Sequence, residues 1–371
     1  MKQTMLLKLA PSPEQQAALL ETMHAFNEAC NTIAQTAFDE QLTNTFELQK
    51  IVYGTIRKQY ALSSQLTIRA ISKVVESYKR DKSIKPSFRR EGAITYDERL
   101  MSFKGRSDVS LLTLQGRVLV PLRVGGYQHT RFEAIKGQAD LLSRKGTFFL
   151  AVTLDVPAPE PDEPEGGTLG VDLGIVALAV DSEGETFSGA AIETTRKRLL
   201  RLRSDLQRRG TKSAKRHLKK LSGREARFRK NTNHVISKRL VQKAKTHRQA
   251  LAVEDLRHIR TRQGLERTVQ KSQRPVHSSW SFWQLRCFLS YKAALAGVPL
   301  YLVNPRNTSR TCSACGHCAK ANRKSQAAFV CQQCGHADNA DRNAAINISR
   351  AAVMQPLVSP GSRAGYTQPG A

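Results

Sequence analysis

Acidic residues are the conspicuous shortage in this chain: 31 Asp and Glu stand against 59 Lys and Arg in 371 residues, a formal charge of +28. Such an imbalance excludes a typical metabolic enzyme and calls for a polyanionic partner. Aromatic residues are also few, 6% of the total, so the cores must be aliphatic, while 40% hydrophobic residues exclude disorder over most of the length. No run of 18 apolar residues occurs, which excludes an ordinary membrane-spanning helix. Lys8 interrupts the N-terminal apolar residues before a signal-peptide core can form, so the expectation is a cytoplasmic protein that binds nucleic acid and no membrane. Cysteine is sparse and odd in number, seven in all, with four in two close pairs, which is metal spacing in a reducing compartment rather than a secreted disulfide framework. No internal repeat larger than those pairs is present, and the length predicts two or three domains.

Apolar side chains at Leu19, Met23, Phe26, Cys30 and Ile33 recur at steps of three and four, which predicts a helix over 12–38 with Cys30 in its core face. Ile68, Ile71, Val75 and Tyr78 predict a second helix over 64–80, with Arg69, Lys73, Lys79 and Arg80 giving basic faces. Beyond Pro86 and Gly92 the period becomes two, at Val118 to Val124 and at Phe148 to Val156, predicting a small antiparallel β unit. Four prolines and four acids within 157–167 predict an extended, unpacked linker and the main domain boundary. Three antiparallel strands are expected next, the first ending at Asp172. After them come a long basic helical region, a strand over Ala250–Leu256, a helix near 280–296, a strand over Val298–Val303, the cysteine segment and a helix over 341–352. Residues 355–371, rich in Gly, Pro and Ser, read as a flexible tail.

Cys312, Cys315, Cys331 and Cys334 form C-x2-C, fifteen residues, C-x2-C, the spacing of a tetrathiolate zinc site. Four thiolates leave no open position for catalysis, so the expected role is a structural clip, with Cys318, His317 and His336 outside the ligand set. Asp172 and Glu254 each close an apolar strand, and Asp341 opens a helix, where it serves either as an N-cap or as part of a site. Strand-end acids are common, but two strand-borne acids and one helix-borne acid in a βββαβα order can converge on a sheet edge and hold paired divalent metals. Between Arg196 and Arg248 there are 21 basic residues and only Asp205 and Glu225 as acids, an unbalanced face suited to phosphate. His234 within it reads as structural or phosphate-facing. Trp280, Phe282, Trp283, Leu285, Phe288 and Leu289 read as helix core in preference to a base-stacking box.

Gly170-Val171-Asp172-Leu173-Gly174, Val253-Glu254-Asp255-Leu256, Asn304-Pro305 with Thr308-Ser309, and the run from Asp341 to Ile348 after the cysteines together resemble TnpB, the RNA-guided nuclease family of insertion sequences and relative of type V CRISPR effectors. The resemblance spans about residues 168–350, with a weaker echo in Lys85-Pro86-Ser87-Phe88-Arg89. It implies an α/β protein with an RNase H-like (RuvC) nuclease domain over 168–307 and 337–354, and a zinc-ribbon insertion over 308–336. A helical recognition domain (11–85) would be inserted in a wedge-like β barrel (1–10 and 86–156). It further implies Asp172, Glu254 and Asp341 as the Mg2+ ligands, two ions per site with Mn2+ as a substitute. Cys312, Cys315, Cys331 and Cys334 would hold one structural Zn2+. The implied partners are a guide RNA from the mobile element and double-stranded target DNA, with one chain per RNA, in a prokaryotic cytoplasm. Two other readings stay open: a nuclease-inactive RNA-guided regulator, and a DNA-strand transferase.

Overall fold

Ser12 accepts a hydrogen bond from the Gln15 amide while the Gln15 side chain returns to the Ser12 amide, and Pro13 follows; this reciprocal cap starts the first helix where the periodicity places it. The computed structural model describes residues 1–79, 81–255, 282–325 and 327–352. The expectations for Arg80, Leu256, Trp280 and the tail at 355–371 lie outside the described residues. The chain forms two compact units that divide between Pro157 and Ala158.

The first unit runs β1 (Lys2–Leu9), α1 (Pro13–Asp39), α2 (Thr45–Tyr60), α3 (Ser64–Tyr78), β2 (Ile94–Tyr96), β3 (Met101–Lys104), β4 (Asp108–Thr113), β5 (Gly116–Arg123), α4 (Gly126–His129), β6 (Ile135–Arg144) and β7 (Thr147–Asp155). Leu19, Met23, Phe26, Cys30 and Ile33 on α1 are all fully buried, so the predicted stripe is the packed one. The strands form one sheet in the order β2-β6-β7-β1-β5-β4-β3. Its two edges follow one another in sequence through the turn at Asp97, whose carbonyl accepts from the Leu100 and Met101 amides. The Tyr96 hydroxyl then donates to Leu112 O of β4 at 2.8 Å, which nearly closes the sheet into a barrel. The basic face expected on α3 is largely engaged. Arg69 pairs with buried Asp97 at 2.6 Å, and Lys73 donates to Asn27 Oδ1 at 3.0 Å beneath the ring of Phe88. Burial pulls the Lys73 ammonium below its usual range.

The second unit carries β8 (Thr168–Asp172), β9 (Ala177–Asp181), β10 (Thr186–Ser188), α5 (Ala190–Arg209), α6 (Lys212–Leu221), α7 (Arg224–Thr246), β11 (Ala250–Glu254), α8 (Phe282–Ala296), β12 (Leu300–Val303), β13 (Ala328–Val330), β14 (Ala337–Asn339) and α9 (Ala340–Ala352). Its main sheet is ordered β10-β9-β8-β11-β12, with β8, β9 and β10 antiparallel as expected and β11 parallel to both β8 and β12. Leu285 and Leu289 of α8 are fully buried, whereas Trp283 is 49% exposed, so only part of that aromatic segment is core. His234 stacks on Phe288, ring centroids 3.9 Å apart, which is a structural role. Among the described residues no helix is long and apolar enough to cross a membrane.

Two expectations about charge and packing need correction. The acidic, proline-rich segment does not stay unpacked: the Asp162 amide donates to Gly297 O at 2.9 Å and the Gly166 amide to Arg248 O at 3.0 Å. Asp162 also pairs with Lys245, and Glu165 with Arg248 at 2.5 Å. Nor does the C-terminal half of α7 lack balancing acids. Lys243 meets fully buried Asp181 at 2.5 Å and Glu183 at 3.0 Å, and Arg239 meets Glu185 at 2.5 Å. Those acids come from the linker and the β9–β10 turn, far away in sequence, where counting along the basic run could not find them. Unbalanced charge is dense on α5 and α6, a hairpin closed by a small core of Leu199, Leu206, Ala214 and Leu221, on which Arg198, Arg201, Arg209, Lys215 and Lys219 are exposed, and it continues onto the first turns of α7 with exposed Arg224, Arg227 and Lys230.

Candidate active site

Leu169-Gly170-Val171 and Leu251-Ala252-Val253 are buried central-strand residues, and the parallel register sets Val171 opposite Val253. Asp172 and Glu254 are the next residues on each strand, side by side at the same carboxyl edge, where strands in open α/β sheets present their ligand sites. Helix α9 reaches that edge because it crosses β8 at Gly170. A Cβ there would stand 2.0 Å from Ala345 O and 2.5 Å from the Ser349 amide, so only glycine admits the helix this closely. Ser349 Oγ fastens the contact by donating to Thr168 O at 2.6 Å.

Asp341 sits in the first turn of α9. The capping role left open for it belongs to Asn339, whose Oδ1 accepts from the Asp341 and Arg342 amides at 2.9 and 3.1 Å. The Asp341 carboxylate is thereby released for other work, and it pairs with Arg323 at 3.1 Å.

Electrostatics tie the three acids into one group. Burial raises Asp172 to about 7, and the charges of Glu254 and Asp341 push the same way, against the opposing Arg323 guanidinium. Burial also raises Glu254, opposed by a hydrogen bond from Thr308 and by Arg323. Asp341 is likewise raised by burial and opposed by Arg323. An all-oxygen donor set whose anionic forms are disfavoured by burial fits a hard divalent cation. The three carboxylates are spread more widely than a single compact shell: among the described residues only the four cysteines bring one donor atom each within 4.8 Å of all the others.

Those cysteines gather without Cys318, His317 or His336. Cys312 Sγ lies 3.7 Å from Cys334 Sγ and Cys315 Sγ 3.6 Å from Cys331 Sγ. Tetrahedral zinc with Zn–S bonds of about 2.3 Å separates its sulfurs by roughly 3.8 Å, so the cluster is consistent with a zinc site. Each pair turns on a glycine with positive φ, 80° at Gly316 and 72° at Gly335. Ala314 N and Cys334 N point at Cys312 Sγ and Cys331 Sγ, at 3.4 and 3.5 Å. Residues that the sequence did not mark as functional are Arg323, one basic residue among many, and Asn339. Thr308 was visible only as part of a family motif.

Two family models match the chain: that of OrfB from IS605, described as "Probable transposase", over residues 151–260, and the Cas12f1-like TNB domain over residues 282–348. "Putative RNA-guided DNA endonuclease InsQ" of Escherichia coli (strain K12) is 25% identical over 313 residues, 77% of this chain and 73% of InsQ. "CRISPR-associated endodeoxyribonuclease Cas12f2" of Micrarchaeota archaeon (strain CG1_02_47_40) is 31% identical over 229 residues, 56% of this chain and 41% of that protein. The chain therefore spans most of InsQ but less than half of Cas12f2. Among solved structures, "Structure of the mini-RNA-guided endonuclease CRISPR-Cas_phi3" shares the fold at a TM-score of 0.58 with 11% identity, covering 96% of this chain and 93% of that one. The similarity to TnpB read from Asp172, Glu254, the cysteines and Asp341 thus extends to family models, to named relatives and to the fold.

Proposed function

We propose that this protein is a guide-RNA-directed, divalent-metal-dependent DNA endonuclease associated with a transposable element, and that its second unit is an RNase H-like (RuvC) nuclease domain with a zinc-ribbon insertion. The observation that carries this reading is the parallel register that sets Asp172 beside Glu254, with α9 delivering Asp341 to the same edge. The residues present fit a hard cation, so Asp172, Glu254 and Asp341 would hold Mg2+, two ions per site, with Mn2+ able to replace it. Bound there, the metal would supply an activated water and would stabilise charge on the leaving oxygen of a phosphodiester, the chemistry that leaves 5′-phosphate and 3′-hydroxyl ends.

The chain's own residues do the rest. Arg323 offsets the charge of Asp341, and Thr308 donates a hydrogen bond to Glu254. Four thiolates would hold one structural Zn2+ and so fold a ribbon too small for a core of its own. The exposed cations of α5 and α6 contact phosphate, while base pairing with the guide reads the target sequence. In the first unit, the barrel and helices α1–α3 serve as wedge and recognition domains that grip the RNA and read a short motif beside the target.

The test uses the protein copurified with its RNA, a double-stranded target carrying that motif, and Mg2+. Asp172→Ala, Glu254→Ala and Asp341→Ala should each abolish cutting and spare guided binding. Binding without cutting by the wild type would point to a regulator instead, and retained cleavage by any variant would remove that residue from the centre.

A further inference from the structure

We propose that Thr308 is a positioning residue for the acid centre, its hydroxyl fixing the rotation of the Glu254 carboxylate that a divalent cation would meet. The inference rests on the metal-dependent reading above and deepens it. Glu254 closes β11 opposite Val303, the last residue of β12. Past Val303 the chain doubles back. Asn304 Oδ1 accepts from the Arg306 amide at 3.1 Å, and Asn307, at φ 65°, accepts through its carbonyl from the Arg310 and Thr311 amides. This turn returns Thr308, 8% exposed, to the strand edge it has just left.

There Thr308 Oγ1 donates to Glu254 Oε1 at 2.6 Å. The other acceptor in reach is Pro305 O at 3.3 Å. A hydroxyl has one proton, and the shorter contact, to Glu254, takes it. A free glutamate side chain turns about three bonds, and an anchored one does not.

The anchor is itself held from behind. Asn347 Nδ2 donates to Thr308 O at 2.9 Å and to Thr311 O at 2.7 Å. Asn343, fully buried, donates to Thr311 O at 2.8 Å and accepts from the Ser313 amide at 2.9 Å. Both asparagines belong to α9. The helix that delivers Asp341 therefore also clamps the turn that orients Glu254, so two of the three acids share one support. The β-branched side chain at 308 suits the task, because its χ1 is stiffer than that of an unbranched residue.

The experiment titrates the full chain with Mn2+ and follows the free ion by electron paramagnetic resonance, in wild type, Asp172→Asn, Thr308→Val and Thr308→Ser. Wild type should bind Mn2+ at a site lost in Asp172→Asn. Thr308→Val, of the same shape without the hydroxyl, should bind it at least about tenfold more weakly, as residues supporting a metal ligand typically do when replaced, while Thr308→Ser stays within about threefold. Zinc content and melting temperature should be unchanged in both, which separates positioning from folding. Mn2+ binding by Thr308→Val equal to wild type, or a Ser variant as weak as the Val variant, would overturn the inference. A wild type without any Asp172-dependent Mn2+ would bring down the metal-dependent reading, and this inference with it.

Discussion

Gly170 lies two residues before Asp172 and directly under α9, which makes Gly170→Ala a test of whether helix placement sets activity. The added Cβ would stand 2.0 Å from Ala345 O and 2.5 Å from Ser349 N, both backbone atoms, whereas real Cβ atoms essentially never approach below 3.0 Å. The helix must retreat by about 1 Å or more, since neither obstacle can swing aside. Overpacking of this kind costs about 1–3 kcal/mol of stability, a loss the unit can survive. Asp341 stands one helical turn from Ala345 and travels with it, and displacing a catalytic group by about 1 Å costs on the order of 100-fold in rate. Single-turnover cleavage by the RNA-loaded protein at saturating Mg2+ should therefore fall about 100-fold, while target binding by gel shift and zinc content hold. Cutting at the wild-type rate by a folded Gly170→Ala protein would refute the claim that this contact locates Asp341.

Replacing Cys312 and Cys315 together by Ser should lower zinc from about one per chain towards zero and reduce soluble yield, because the ribbon's folding energy is its metal-binding energy; elemental analysis showing undiminished zinc would rule out the ligand assignment. Lys292 donates to His234 O at 2.6 Å and Ser237 Oγ at 2.7 Å, and burial, with Lys238 nearby, lowers its ammonium to about 8. A folded pKa below the unfolded one means the unfolded chain binds more protons between about pH 8 and 10.5, so stability rises with pH across that window and is lost as pH falls through 8. Wild type should accordingly gain melting temperature over Lys292→Met between pH 7.5 and 9.5, and a constant difference would contradict the shift.

Asp172 and Glu254 were legible in the sequence because a carboxylate at the end of an apolar strand is costly to bury without a cation. The cysteines were legible because thiolate spacing is itself the geometry of the site. Asp341 was ambiguous, since an acid in a first helical turn looks the same whether it caps or coordinates; Asn339, two residues earlier, settles its capping role only once the turn is folded. Helix α2 left a faint signal, a stripe of only Leu48, Val52 and Ile56. The partners of Lys243 and Lys245 were out of reach, lying 62 and 83 residues away, because charge balance across such separations depends on tertiary folding. Arg323 and the hydrogen bond from Thr308 escaped for the same reason, as both rest on where an irregular turn happens to end.

The polar stripe on α9 limits how this protein can be trimmed. Excising the ribbon would leave Asn343, Asn347 and Arg350 facing water in place of the Thr308, Thr311 and Ser313 backbone they now hold. It would also take Arg323 from Asp341 and the hydroxyl from Glu254. A shorter version of this chain would have to be cut elsewhere, because the insertion and the acids it interrupts form one mechanical piece.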